Sequence, residues 1–194
     1  ICAAVASLIL GMGMPSVAAY SLVAILVAPA LVQYGIPAMA AHLFVFYFSV
    51  ISNITPPVAV SCFAAAPLAG ANPTKVGFTA FRLAIAAYIV PFVFCFVPSL
   101  IMIGEVWEIV VNFSFCCYAI FGVCVALSGY WHRNVPTLTR IAICAAAAVV
   151  LWPSSYLVNI AGTAIMTLLL LPDIKLSIQA NKEKKASKLS ADAT

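Results

Sequence analysis

Two short segments of the chain carry the residue types best suited to chemistry. The first is Gly11-Met12-Gly13-Met14-Pro15, and the second is Ser52-Asn53-Ile54-Thr55-Pro56-Pro57. Glycine and proline interrupt helices, so backbone carbonyls in both segments lose their helical partners. The second segment adds neutral side-chain oxygens, which suit a hard cation. Because residues 1–74 contain no Asp, Glu, Lys or Arg, any ion there would be held by backbone and neutral oxygens.

The composition places these segments in a membrane. The chain has 194 residues, of which 65% are hydrophobic and 7% are charged, whereas soluble domains carry about a quarter charged residues. A second uncharged run extends from Leu83 to Gly104. Such stretches cannot form a water-facing surface, so the sequence argues against a cytosolic enzyme, a nucleic-acid binder or a disordered protein.

Both segments interrupt runs of apolar residues that would otherwise be predicted to form membrane helices. A crossing helix needs about 20 apolar residues, and irregular backbone at membrane depth must be buried in protein or line a polar cavity. Discontinuous helices of this kind are typical of secondary transporters, where freed carbonyls coordinate sodium and half-helix N-termini attract anions. The alternative is that the breaks are kinks packed against neighbouring helices, because Gly and Pro are common in membrane helices.

Positive charges give a topology. Lys75 and Arg82 are expected on the cytoplasmic side, Glu105 and Glu108 outside, and Arg133 and Arg140 on the cytoplasmic side again. The segment 1–32 then becomes a hairpin open to the outside with its tip at Gly11 to Pro15. Both ends of 141–171 fall on one side, which predicts a re-entrant helical pair that turns near Pro153.

Other residues offer weaker candidates. His42, Tyr20 and Tyr47 lie in apolar spans, where a hydrogen bond to a neighbouring helix is the simplest interpretation and a proton-relay or solute role is the alternative. The seven cysteines show no metal-ligand spacing and read as small hydrophobes, so no metal centre is expected apart from a sodium site. An enzyme is not expected, since a Ser with His42 is the sole residual catalytic set.

The sequence resembles the large membrane subunit of TRAP transporters, the tripartite ATP-independent periplasmic family. The resemblance lies in GMGMPSVAAYSLVAILVAPAL, AAHLFVFYFSVISNITPPVAVSCFAAAPLAGANP and KVGFTAFRLAIAAYIVPFVF, over about residues 1–104. It is closest to the variety in which the small and large subunits are fused, and residues 105–194 resemble a C-terminal extension of some of those proteins. The chain is accordingly expected to be the C-terminal piece of a longer protein.

The resemblance implies an all-α polytopic membrane protein and the second repeat of an inverted-repeat, elevator-type transporter. The implied activity is sodium-driven uptake of an organic acid or similar small solute, delivered by a periplasmic binding protein, across the bacterial inner membrane. The lipid bilayer, the first repeat and the small subunit complete the implied partners, and nucleic acid is not among them. A non-transporting scaffold or assembly module is the alternative function, particularly for residues 105–194.

The resemblance also assigns residues and segments. The ion and solute site is expected at the hairpin tip and the helix break, and no cofactor besides the coupling sodium ion is expected. The expected transport region, 1–104, contains a hairpin 1–33, a broken helix 36–70 and a transmembrane helix 76–104. The expected membrane extension, 105–172, contains a helix 109–131 and a re-entrant pair 141–171. A cytoplasmic Lys-rich tail, 173–194, is expected to follow. The assigned site residues are Gly11, Met12, Gly13, Met14, Pro15, Ser52, Asn53, Ile54, Thr55 and Pro56.

Overall fold

A computed structural model describes residues 1–129, 135–152 and 156–170. Within these ranges the regular structure is helical throughout, with no strand. The chain divides into two compact units, 1–114 and 115–194, which are described separately. The Pro153 turn and the tail 173–194 lie outside the described residues.

The first unit begins with a helical hairpin. Helix α1 spans Cys2–Gly11, α2 spans Ser16–Leu26 and α3 spans Ala28–Gln33. Between α1 and α2 the chain reverses through Gly13, whose φ of 78° favours glycine. Pro15 precedes α2 in an extended conformation. The tip is therefore a short irregular loop whose conformation follows from its Gly and Pro residues.

A broken helix follows the hairpin. Helix α4 spans Ala38–Ile51 and continues as a 3₁₀ turn over Ser52–Ile54, and α5 spans Val60–Ala65. Thr55 is extended, with φ −93° and ψ 122°, because a following proline disfavours the helical region. The Pro56-Pro57 peptide bond is cis. Irregular backbone thus separates the two helical parts.

Two longer helices come next. Helix α6 spans Pro73–Phe96 and α7 spans Val106–Ser128, and both are long and apolar enough to cross a membrane. The Asn72 side chain caps α6 by accepting hydrogen bonds from the backbone N–H groups of Thr74 and Lys75. The predicted helix 76–104 therefore begins earlier than expected. It also ends earlier, because Pro98 disfavours the helical region at the preceding residue.

The core of the first unit is built around α4. Phe44, Val45 and Phe48 of this helix are buried against Val23 of α2, and Phe92 of α6 packs on the same cluster. The outward side chains are largely apolar, as at Val17 and Ile25. Because α4 contacts both arms of the hairpin and α6, it fixes the position of the break that ends it.

The second unit contains the end of α7 and two further helices. Helix α8 spans Thr137–Leu151, and α9 spans Tyr156–Leu170. Gly162 packs against Ala146 and Val150, so α9 runs back along α8. Each helix has 15 residues and is about 22 Å long, shorter than the roughly 30 Å hydrocarbon core.

The end of α7 is held by a side chain from α8. Arg140 donates from Nε to the carbonyl of Ala126 at 2.6 Å and from Nη2 to the carbonyl of Leu127 at 3.2 Å. A cation at this end complements the negative pole of the helix. The predicted helix 109–131 ends earlier, at Ser128, because Gly129 has a φ of 69°.

Candidate functional site

The hairpin tip packs directly on the end of α4. Gly11 is buried, and a Cβ atom placed on it would lie 2.7 Å from Ser52 Oγ and 3.4 Å from Ser49 Cα. A Cβ placed on Gly13 would lie 3.6 Å from the side chain of Val58, which lies in the break. The tip therefore contacts the end of α4 and the irregular segment that follows it, and glycine at position 11 permits the close approach.

Asn53 joins the break to α2. Its Nδ2 donates to Ser16 Oγ at 3.2 Å and to the carbonyl of Val50 at 3.4 Å. Because a carbonyl oxygen only accepts, the amide nitrogen must face Val50, and this fixes the orientation of the side chain. The remaining atom, Asn53 Oδ1, accepts no hydrogen bond from the described residues and is available as a ligand.

The hydroxyl groups of Ser52 and Thr55 are buried and oriented. Ser52 Oγ donates to the carbonyl of Ser49 at 2.6 Å, and Thr55 Oγ1 donates to the carbonyl of Ile51 at 2.8 Å. Thr55 has then used its one proton, so Tyr88 of α6 donates to Thr55 Oγ1. Both hydroxyls therefore keep lone pairs for an additional partner, and Tyr88 fixes Thr55 in place.

Several backbone carbonyls at the site have no partner. Among the described residues, no hydrogen bond is donated to the carbonyls of three tip residues or of three residues in the break. None of these six residues is buried, so at membrane depth their carbonyls would have to face water, an ion or another protein component. The unpaired carbonyls belong to Met12, Gly13, Met14, Pro56, Pro57 and Val58.

The structure brings together the two segments that the sequence singled out. Gly11 meets Ser52, Gly13 meets Val58, and Pro56 lies near Gly77 of α6. The half-exposed side chains of Met12 and Met14 make no hydrogen bonds or ring contacts with the part of the chain that the structure describes. Within the described ranges, no three His, Cys, Asp or Glu residues are close enough to form a metal site, so the oxygens available for an ion are neutral.

Sequence reasoning missed four residues that shape this site: Ser16, Ser49, Val58 and Tyr88. Ser16 directly follows the tip, and Val58 directly follows the paired prolines, so extending each motif by one residue would have included both. Ser49 is one turn before Ser52 on α4. Tyr88 lies 33 residues from Thr55, and no local pattern signals their contact.

His42 and Tyr20 form a separate polar pair. The Tyr20 hydroxyl lies 3.1 Å from His42 Nδ1, which confirms the predicted hydrogen bond between His42 and a neighbouring helix. Tyr47 instead packs edge-on against Phe94. The Tyr20–His42 pair connects α2 and α4 outside the break.

Comparison with known proteins identifies the family. Residues 1–109 match the family described as the tripartite ATP-independent periplasmic transporter, DctM component, and the match includes the hairpin, the broken helix and α6. Neither the curated proteins nor the solved structures contain a match to the chain. Since the matched region is more than half of the chain and holds both interrupted segments, the chain belongs to the DctM component family of tripartite ATP-independent periplasmic transporters.

Proposed function

We propose that the hairpin tip and the helix break form one side of a sodium and solute site in a sodium-coupled uptake transporter. The family makes the chain an integral membrane component of a transporter, and such transporters work with a periplasmic binding protein and further membrane components. The observation that carries the proposal is the contact between the two segments, where unpaired carbonyls and oriented hydroxyls accumulate. In this proposal, residues 1–104 form the second of the transporter's two inverted repeats.

The electrostatics at this contact favour a cation. Helix α1 ends at Gly11 and the α-helical part of α4 ends at Ile51, so the negative poles of two helices converge where Gly11 meets Ser52. Ser52, Thr55 and Asn53 Oδ1 add neutral oxygens. A sodium ion would satisfy acceptors that otherwise have no donors, without needing a carboxylate.

The solute is proposed to be a small organic acid that binds beside the ion. Helix α2 begins at Ser16, so its positive pole also faces the tip and suits an anionic group. The first repeat and the small membrane subunit would complete the cavity. A periplasmic binding protein would deliver the solute from outside, which fits a hairpin that opens to that side.

The proposed location is the bacterial inner membrane, with the tail 173–194 in the cytoplasm. Support comes from the positions of the charged residues, since Lys75 and Arg82 lie on α6 and Arg140 near the start of α8. Protease should remove the tail in inside-out vesicles and leave it intact in right-side-out vesicles. The reverse result would contradict this orientation.

The test of the ion site uses the complete transporter that contains this chain, purified in detergent. Sodium chloride should raise its melting temperature relative to potassium chloride, because a ligand that binds only the folded state stabilises it. Asn53→Ala and Thr55→Ala should each remove most of this increase. In the same two variants, sodium-dependent uptake in proteoliposomes should also fall.

Matched controls separate ion binding from general damage. Asn112→Ala removes an amide that bonds Ser99, and Thr79→Ala removes a hydroxyl that bonds the carbonyl of Lys75. Both remove a hydrogen bond of the same kind as those at the site, so they should lower the melting temperature while keeping the sodium-dependent increase. An undiminished increase in Asn53→Ala and Thr55→Ala would refute the proposed site.

A further inference from the structure

A polar stripe runs along the exposed surface of the first unit from the helix break to His42. Ser16 and Tyr20 are one turn apart on α2, and His42 and Phe46 are one turn apart on α4. Tyr20 packs edge-on against Phe46, with ring centroids 5.6 Å apart, and bonds His42. The stripe therefore continues from the Asn53–Ser16 hydrogen bond along the groove between the two helices.

His42 is exposed on this stripe. It lies four residues, or about 6 Å, after the start of α4 and nine residues, or about 14 Å, before its end, so it sits near the end of the helix that is expected to lie outside. An ionisable side chain facing lipid there would be costly. The surface around His42 is therefore expected to face water at the outer end of the helix or to be covered by protein.

The groups on the stripe suit an anion. A phenol is a stronger hydrogen-bond donor than a neutral imidazole, so Tyr20 donates to Nδ1 and the ring proton of His42 resides on Nε2. In the described residues, Nε2 has no hydrogen-bond partner. The N-terminal pole of α2 lies one turn away at Ser16, and residues 1–104 contain no acidic residue.

We propose that Tyr20 and His42 line the water-filled solute path and bind the carboxylate of the solute on its way to the site at the break. This inference rests on the proposed transport function and adds two residues to it. Tyr20 orients the ring, and His42 Nε2 donates to the carboxylate. The competing arrangement is a helix of another transporter component that covers the stripe.

Thiol labelling tests the proposal without knowledge of the solute. The complete transporter, with its native cysteines replaced, would carry Tyr20→Cys, Ser16→Cys or Leu22→Cys. The reagents are the membrane-impermeant methanethiosulfonates that carry a sulfonate or a trimethylammonium group. Leu22 is 41% exposed but lies about 200° around α2 from Tyr20, so it serves as the matched control.

The thiols introduced at positions 20 and 16 should react with both reagents, and the thiol introduced at position 22 should not. Ser16→Cys is nearly isosteric, so it keeps the test decisive if Tyr20→Cys does not fold. Unreactive thiols at positions 16 and 20 would show that protein or lipid covers the stripe, and equal reactivity at position 22 would show no defined path. Either result overturns the proposal.

The role of His42 is tested by the ratio of the two labelling rates in the Ser16→Cys variant, which keeps Tyr20 and its hydrogen bond to His42. The ratio cancels changes in thiol ionisation, and it should favour the sulfonate reagent by about two- to tenfold, the effect of one hydrogen bond donated by the neutral ring of His42 to an anion. His42→Asn should abolish that preference, and an unchanged ratio would refute anion binding. The sodium-induced rise in melting temperature of the unmodified transporter is measured in parallel. If that rise is absent, the result counts against the ion site and not against the polar stripe.

Discussion

The contact between Gly11 and the end of α4 gives the most direct prediction. Gly11→Ala places a methyl group 2.7 Å from Ser52 Oγ, 3.2 Å from Ser52 Cβ and 3.4 Å from Ser49 Cα. Rotation of the Ser52 hydroxyl relieves only the first contact and breaks its 2.6 Å hydrogen bond to the Ser49 carbonyl. The 3.2 Å contact with Ser52 Cβ involves an atom fixed by the backbone, so the tip and the break must separate by a few tenths of an ångström.

The size of the effect follows from these contacts. Overpacking a buried site costs about 1 to 3 kcal/mol, and the lost hydrogen bond accounts for about 1 kcal/mol of this range. If sodium binds only when the tip and the break are in contact, the free energy of sodium binding becomes less favourable by the same amount. We therefore expect the sodium concentration for half-maximal stabilisation to rise about 5- to 150-fold.

The assay is the sodium-dependent melting temperature of the complete transporter, measured over a series of sodium chloride concentrations at constant ionic strength. Gly77→Ala is the control, because its new Cβ would meet Ala59 Cβ at 3.6 Å and Pro56 Cγ at 3.9 Å, which are ordinary contacts. It should leave the sodium dependence unchanged. Equal sodium dependence in Gly11→Ala and the unmodified transporter, or equal damage in Gly77→Ala, would refute the reasoning.

Three further predictions concern hydrogen bonds outside the tip contact. Thr55→Val and Tyr88→Phe should each lower the free energy of unfolding by about 1 kcal/mol. A double-mutant cycle measured by thermal unfolding should show a coupling energy of similar size, and additive effects would contradict the Thr55–Tyr88 hydrogen bond. Arg140→Gln should lower the stability by about 1 to 3 kcal/mol because two carbonyls of α7 lose a charged donor, with partial recovery in Arg140→Lys; no loss in Arg140→Gln would contradict this cap. Asn72→Ala should cost about 1 kcal/mol by removing the cap of α6, as measured by thermal unfolding, whereas Asn72→Ser should restore most of it.

Much of the helical framework was predictable because its causes are local. The Gly and Pro residues of the two motifs stop helices wherever they occur, and Asn72-Pro73 is a helix-start signal by residue type alone. The apolar runs also predicted helices, although Pro98 and Gly129 end α6 and α7 earlier than hydropathy suggests. These residues act on the backbone within one or two positions, so one sequence suffices to locate their effects.

The details of the site were not predictable, because they depend on which helices meet. The approach of Gly11 to Ser52 requires the hairpin to fold back on α4, and the Thr55–Tyr88 bond requires α6 to pass the break. The spacing of these residues along the chain indicates neither contact. The same holds for Tyr20 and His42, which are 22 residues apart and each read alone as ordinary polar residues in an apolar span.

The Arg140 cap affects how the second unit responds to its membrane. An arginine at a helix junction normally stays at the depth of the lipid headgroups, because its charge needs hydration. Arg140 already gives hydrogen bonds to two carbonyls at the end of α7, and the negative pole of that helix partly offsets its charge. Arg140 can therefore lie closer to the hydrocarbon in a thicker bilayer at lower cost than a free arginine would, which helps the short helix α8 accommodate hydrophobic mismatch at this end.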